Sequence, residues 1–285
     1  MFQLYVSLAK ILIFLHLAFL LSLGKSCSHL FSFCLNGVIR WKFLTFAPLI
    51  YILFHMDITP VARFRSPFSS KFGIPKQSGI IASLRGSIEF ESPFRNPDAL
   101  RGIDAFDYLW LIWEFSANPH AAHGLLVRPP RLGGNERVGV FASRSPFRPN
   151  GLGLSSVRLS HVEWDTPRGP VLHVLGADLM DGTPIYDIKP YVVYADSHPE
   201  ARSGFVDARQ WTKSEVILPA VVLSVLRQAG WSEELVDTLV KVLEQDPRPR
   251  YQQDPARVYG MPFAGYDIHF RCQDGKVMVT DAVPL

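Results

Sequence analysis

Arginine, aspartate and proline crowd together in four stretches of the chain: 128–134 (Arg-Pro-Pro-Arg-Leu-Gly-Gly), 139–150 (Gly-Val-Phe-Ala-Ser-Arg-Ser-Pro-Phe-Arg-Pro-Asn), 178–191 (Asp-Leu-Met-Asp-Gly-Thr-Pro-Ile-Tyr-Asp-Ile-Lys-Pro-Tyr) and 246–251 (Asp-Pro-Arg-Pro-Arg-Tyr). Prolines stiffen a loop before any ligand arrives, so arginines projecting from it lose little freedom on gripping one. Arg128, Arg131, Arg144 and Arg148 fall within 21 residues of one another. Planar guanidinium groups so placed suit a carboxylate or a phosphate better than ammonium groups do. Folding offers its own account of each residue. A single arginine in a proline-rich loop is commonly a solvated charge. Asp-Gly followed by Thr-Pro is a turn by composition, so Asp178, Asp181 and Asp187 have a turn reading beside the chemical one. Asp246 stands at a helix end before Pro247, where a structural role is as good a reading as a catalytic one. The histidines, among them His120, His123, His161, His173 and His198, follow no metal-ligand spacing, and no Ser-His-Asp or Cys-His set stands out. The residues by themselves imply an arginine-lined polar site for an anionic or zwitterionic ligand.

Such loops need a scaffold. Between 57 and 194, short apolar segments at 58–64, 86–90, 138–142, 154–162 and 171–179 are separated by proline and glycine. Strands of that length and spacing predict a β-barrel or sandwich and argue against alternating βαβ units. A Rossmann-type fold would show a glycine-rich strand-to-helix turn near its start, and none is present. One helix is expected over 98–106, begun by Pro97. Residues 196–230 read as a connection that begins polar and ends apolar. Beyond it, Ser232 is an N-cap candidate, Glu233 and Glu234 suit the positive end of a helix, and Leu235, Val236, Leu239, Val240 and Leu243 make one apolar stripe that Pro247 ends. Strands at 265–272 and 276–281, joined through Asp274 and Gly275, complete a small α+β unit over 231–285.

The chain has 285 residues, 48% of them hydrophobic, which is enough for real cores and excludes a disordered chain. Residues 1–55 hold Lys10, Lys25, Arg40 and Lys42 and no acid, so of 29 basic and 26 acidic residues the rest of the chain keeps 25 and 26, a net charge of −1. Attraction to nucleic acid must then come from a local cluster of arginine and lysine. Cys27, Cys34 and Cys272 are the three cysteines, too few for a disulfide framework or a zinc site, and Cys272 reads as a packing residue in a reducing compartment. The apolar run 11–23 is shorter than the roughly 20 residues that span a bilayer, and the run 43–54 is shorter still. Composition changes abruptly at Met56. We read Met56 as the start of the native fold and 1–55 as a hydrophobic extension from a misplaced start codon; the competing reading is a membrane anchor that holds the body on the cytoplasmic face.

Together the motifs closely resemble the TsaA-like family, the tRNA threonylcarbamoyladenosine N6-methyltransferases often called TrmO. The resemblance covers about 56–285 and runs through 65–68 (Arg-Ser-Pro-Phe), 73–77 (Gly-Ile-Pro-Lys-Gln) and the four stretches above, in the family's order. It implies a small, non-Rossmann β-barrel methyltransferase domain, over 56–195 in this chain, a smaller C-terminal domain, and usually a homodimer. A cytoplasmic location is expected. It implies S-adenosylmethionine as methyl donor and, as substrate, the N6 of threonylcarbamoyladenosine at position 37 of tRNAs that read codons beginning with A. The family's cofactor contacts fall on Pro75, Lys76 and Gln77, on Arg144, and on Asp178, Leu179, Met180 and Asp181. Another contact pair, commonly His-Gln, falls on Ser116 and Ala117, where Ala117 has only backbone groups to offer. Gly151-Leu-Gly153 stands where the family often has Pro-Ile-Gly. Transfer is expected in line from sulfonium to N6, with no covalent intermediate. Asp187 and Asp246 are the candidates for removing the N6 proton. Arg128, Arg131, Arg148, Lys189 and Arg248 are expected to hold the threonyl carboxylate and anticodon-loop phosphates, with Tyr191 and Tyr251 to stack on a splayed base. No metal is expected. The rival reading is a non-catalytic module of the same fold that binds S-adenosylmethionine or RNA.

Overall fold

The computed structural model describes residues 58–118, 124–129, 136–207, 212–248, 252 and 254–285. The hydrophobic stretch 1–55, the boundary at Met56, Arg131 and Tyr251 lie outside the described residues. Alternation of inward apolar and outward polar side chains builds the first layer. Strands β1 (Ala62–Arg65), β2 (Arg85–Phe90) and β3 (Tyr108–Glu114) come first. A short hairpin of β4 (Leu126–Val127) and β5 (Val138–Gly139) follows, then β6 (Leu152–Glu163), β7 (Val171–Leu175) and β8 (Pro184–Pro190). The order β1-β2-β7-β6-β3-β8 is antiparallel throughout, and β8 returns to β1 to close a barrel. Closure leaves no unpaired edge to template aggregation.

Phe64, Ile88, Leu109, Leu111, Leu172 and Ile185 fill the barrel and are all essentially inaccessible. Burial of each such side chain stabilises the fold by roughly 1.5–3 kcal/mol. This is the mainly β, non-Rossmann architecture expected. β3 lies outside the anticipated strand segments, because Tyr108, Trp110 and Ile112 on its outer face are as apolar as Leu109 and Leu111 within, and no alternation of hydropathy marks it. Two local expectations are corrected. The helix over 98–106 is replaced by 3₁₀ turns at Pro97–Leu100 and Ile103–Ala105, since Gly102 between them adopts φ 85° and no right-handed helix passes through that conformation. The strand over 138–142 stops at Gly139 and gives way to a 3₁₀ turn, Val140–Ala142.

After β8, a single helical turn α1 (Val193–Asp196) precedes β9 (Glu215–Ile217), helices α2 (Ala220–Gln228) and α3 (Glu233–Leu243), and strands β10 (Tyr259–Phe263), β11 (Tyr266–Gln273) and β12 (Lys276–Pro284). The sheet order is β10-β11-β12-β9, with β9 parallel to β12. The stretch 196–230, read as a connection, thus supplies a strand and a helix to this second layer, and Val222 and Leu226 of α2 are buried in its core. Ser232 caps α3 by accepting from the Leu235 amide at 3.2 Å. Asp274 and Gly275 both take positive φ, 50° and 75°, to close the β11–β12 hairpin, as the Asp-Gly pair implied.

The two cores share a segment. Phe68, Ile81 and Leu84 of the β1–β2 connection are buried in the second core. Phe72 of the same connection stacks on Phe270 with ring centroids 6.4 Å apart. The Ala264 amide donates to the Pro67 carbonyl at 2.8 Å, and the hydroxyls of Ser83 and Thr238 meet at 3.0 Å. Barrel and second sheet belong to one compact unit, Thr59–Leu285. Among the described residues no helix is long and apolar enough to cross a membrane, and no group of three His, Cys, Asp or Glu is placed to hold a metal ion.

Candidate functional site

Three loops meet at one end of this scaffold. The β1–β2 connection brings Gln77 and Ser78, the turn after β5 brings Arg144, and the β7–β8 connection brings Asp178. Arg144 Nη1 donates to Gln77 Oε1 at 2.6 Å, and the Gly79 amide donates to the Gly176 carbonyl at 2.8 Å. Asp178 Oδ1 accepts from Ser155 Oγ at 2.6 Å, and Ser155 Oγ in turn accepts from Trp113 Nε1 at 3.0 Å. Packing around the Asp178 carboxyl holds it above its ordinary range. The Ser155 hydroxyl, the Ser78 amide and the Arg144 charge all pull it the other way, and the desolvation is larger. A desolvated carboxylate beside a guanidinium is a site for a ligand that carries both signs of charge.

Ser155 and Trp113 were absent from the sequence reading. The signal was a hydroxyl at an inward position of β6, between Gly153 and Val157, where the barrel calls for an apolar side chain. Gly153 itself is required by close approach: a Cβ there would lie 2.4 Å from the Trp113 ring.

The remaining expected cofactor residues are placed variously. Pro75 is buried and Lys76 exposed. The Leu179 side chain lies in the barrel core and is 1% exposed, which leaves only its backbone for a ligand. Met180 spends its carbonyl on the Thr183 hydroxyl at 2.7 Å. Asp181 clamps the start of the β1–β2 connection, accepting from the Ser66 amide at 3.1 Å and facing Arg65 at 3.8 Å. Ser116 is exposed at the end of β3, and the Ala117 carbonyl accepts from Lys71 Nζ at 3.4 Å.

The expected substrate residues divide in the same way. Arg128 is exposed at the end of β4, and Lys189 is exposed on β8. Arg148 turns inward and donates to the carbonyls of Val140 and Ser143 at 3.3 and 2.7 Å, bracing its own loop. Arg248 donates through Nε to both oxygens of Asp246 at 3.0 Å. Tyr191 packs against Trp110 and Tyr108 with centroids 5.7 and 6.2 Å away. Of the two candidate bases, Asp246 is therefore tied to a guanidinium, at a backbone φ of 46°, and lies 3.9 Å from the thiol of Cys272. Burial first, and the Asp246 charge second, push that thiol up to about 11, so Cys272 stays protonated and inert. Asp187 accepts from the Ile188 amide at 2.9 Å and faces Lys189 at 3.9 Å, pairing across β3 with Ile112.

Comparison with known proteins places the chain in a family. A family model described as the tRNA-methyltransferase O N-terminal domain matches residues 63–197, and one for the TrmO C-terminal domain matches 212–285. An Escherichia coli K12 protein named tRNA (adenine(37)-N6)-methyltransferase is 37% identical over 214 residues, 74% of this chain and 90% of that one. A Pseudomonas aeruginosa protein assigned by name as an S-adenosylmethionine-dependent methyltransferase is 39% identical over 224 residues, covering 75% and 91%. A crystal structure of TrmO from Pseudomonas aeruginosa superimposes with a TM-score of 0.64 at 31% identity, over 81% of this chain and 99% of that one. With matched models over both layers and relatives covered almost end to end, the chain belongs to the tRNA-methyltransferase O family.

Proposed function

We propose that the protein methylates N6 of threonylcarbamoyladenosine at position 37 of tRNA, with S-adenosylmethionine as donor. The observation that carries this reading is the meeting of Gln77, Arg144 and Asp178 from three loops at one place. The residues present suit the donor: Asp178 offers a desolvated carboxylate to a cationic group, and Arg144 offers a guanidinium to a carboxylate. When bound, S-adenosylmethionine supplies a methyl group on a sulfonium, already a good leaving group. What remains for the protein is positioning and removal of one proton. Holding two reactants aligned contributes several kcal/mol, of the order of 7–11 at best. Gln77, Arg144 and Asp178 hold one reactant. Arg128, Arg131 and Lys189 take the threonyl carboxylate and neighbouring phosphates. Arg148 and Arg248, already held by their own loops, keep those loops in shape. Asp187, the candidate acid not tied to a guanidinium, receives the N6 proton. Plain adenosine would leave a carboxylate-binding group unpaired, which disfavours it as substrate.

The homodimer belongs to the same proposal. Its support is the apolar outer face of β3 and β6, where Tyr108 and Leu154 lie open to solvent, together with the exposed Val193 and Tyr194 after β8, more apolar surface than a typical monomer shows. A cytoplasmic location follows from the tRNA substrate. The deciding experiment is nucleoside mass spectrometry on tRNA carrying threonylcarbamoyladenosine, incubated with the protein and S-adenosylmethionine, with unmodified tRNA in parallel. A gain of one methyl on the modified nucleoside alone supports the reading. Donor binding without methyl gain favours the non-catalytic module.

A further inference from the structure

We propose that Phe141, held out from the barrel on a turn braced by Arg148, is the platform on which the protein stacks an unpaired base of its RNA, an inference that rests on the tRNA reading above. Phe141 is 76% exposed while Val140 beside it is 1% exposed, so the backbone at this point is anchored and the ring is not. Five contacts fix the turn. Val140 donates its amide to Leu125 at 2.9 Å, and the Ser143 amide and hydroxyl both reach the Val140 carbonyl, at 3.3 and 2.9 Å. Arg148 adds its two bonds to the carbonyls of Val140 and Ser143, which places its guanidinium carbon 6.0 Å from the centre of the Phe141 ring. An exposed phenylalanine is ordinary on a mobile loop. One that is hydrogen-bonded into a fixed position and faced by a guanidinium is already ordered for stacking and loses little freedom on doing so.

Charge decides the occupant. The segment 124–151 contains Arg128, Arg131, Arg137, Arg144 and Arg148 against Glu136 alone, a net charge of +4 within a body that totals −1 from residue 56 onward. A second copy seated on this face about a two-fold axis would bring two such segments together, and like charges oppose that. A polyanion with splayed bases fits: arginines track phosphates, and every base has a face to stack on. The placement suits the reaction as well, because Arg144, three residues beyond Phe141, reaches Gln77 at the candidate donor site. A base stacked on Phe141 would therefore be held by the same loop that carries Arg144.

The test uses the full chain and a fluorescently labelled anticodon stem-loop RNA bearing threonylcarbamoyladenosine. Binding is read by anisotropy, S-adenosylmethionine affinity by calorimetry and mass by light scattering. Phe141→Ala is expected to weaken RNA binding about 5- to 150-fold, the range for losing one stacked base, with donor affinity and mass unchanged. Phe141→Trp restores binding and Phe141→Leu does not. The inference is overturned if Phe141→Ala binds RNA as tightly as the wild type, if leucine restores binding as well as tryptophan, or if the substitution changes the mass, which would make the face an interface between copies. Methyl transfer is scored separately. A wild type whose RNA binding depends on Phe141 but which transfers no methyl group would remove the proposed function and leave the platform standing; active enzyme indifferent to Phe141 would do the reverse.

Discussion

Ser155→Ala removes one oxygen and breaks two contacts. The hydroxyl is 2% exposed, donates to Asp178 at 2.6 Å and accepts from Trp113 at 3.0 Å. Alanine fits the space, so no clash enters. Trp113 is left with a buried N–H and no acceptor, at about 1–3 kcal/mol, and Asp178 loses a bond to its charged form, typically about 1.5–3 kcal/mol. The second part is felt only while Asp178 is ionised, so the total depends on pH. Desolvation already holds the folded Asp178 carboxyl above its ordinary value, and the Ser155 bond opposes that rise. Its loss moves the folded value higher still. A carboxyl raised on folding binds its proton more tightly in the native state than in the unfolded chain, so stability falls as pH climbs from about 3.9 through the folded value. The variant continues to lose stability to a higher pH than the wild type does. We expect it to be less stable by about 2.5–6 kcal/mol at a pH above the folded value of the Asp178 carboxyl, a melting temperature lower by about 5–24 °C for a body of this size. As pH falls below that value the deficit should shrink to the Trp113 share of about 1–3 kcal/mol. Thermal unfolding followed by circular dichroism at one pH on each side measures it. A deficit that is the same at the two values, or larger in acid, would mean that Ser155 does not support the charged form of Asp178.

Three further outcomes follow from the same contacts. Arg144→Ala should lower S-adenosylmethionine affinity about 10- to 100-fold, the worth of a charged hydrogen bond, with Arg144→Lys recovering only part because an ammonium lacks the planar fork; calorimetry that finds the lysine form equal to the wild type would rule out a two-pronged contact. Gly153→Ala places a Cβ 2.4 Å from the Trp113 ring and should lower stability by about 1–3 kcal/mol, read as a lower denaturant midpoint; an unchanged midpoint would show that Trp113 can move aside. Asp246→Asn keeps a residue that tolerates φ 46° and loses the ion pair with Arg248, so stability should fall by about 1 kcal/mol or more while kcat is retained; loss of kcat in a folded variant would return Asp246 to the list of bases.

The barrel was legible because its strands alternate and its turns are marked by glycine and proline, and α3 because Ser232, Glu233 and Glu234 precede a stripe of leucines. β3 escaped that logic, being apolar on both faces. Within the candidate site, the loops that carry arginine could be found from composition, and the fate of each arginine could not. Arg144 and Arg148 stand four residues apart in one motif, yet one reaches across to Gln77 while the other folds back onto Val140 and Ser143. Local spacing cannot separate them, because the difference lies in which carbonyls the turn leaves without a donor. Asp178 and Asp181 separate for a comparable reason. Both stand in the β7–β8 connection, but only Asp178 lies over an inward hydroxyl of a neighbouring strand, and Asp181 is drawn to the amide of Ser66.

The second sheet acquires a role from the connection it shares with the barrel. Gln77 and Ser78 lie in a loop whose two arms, Phe68 on one side and Ile81 and Leu84 on the other, are buried in the second core, while Gly79 at its middle is bonded to Gly176 of the barrel. A loop of this length fixed at one end alone would lose its shape to conformational entropy of about 1–2 kcal/mol for each residue released. Fixing both arms in the second core and the middle against the barrel removes that freedom before any ligand binds. Gln77 can then meet Arg144, and the Ser78 amide can meet Asp178, without the donor having to order them. The second sheet therefore supports the candidate site through this shared connection, which also ties the two layers into one compact unit.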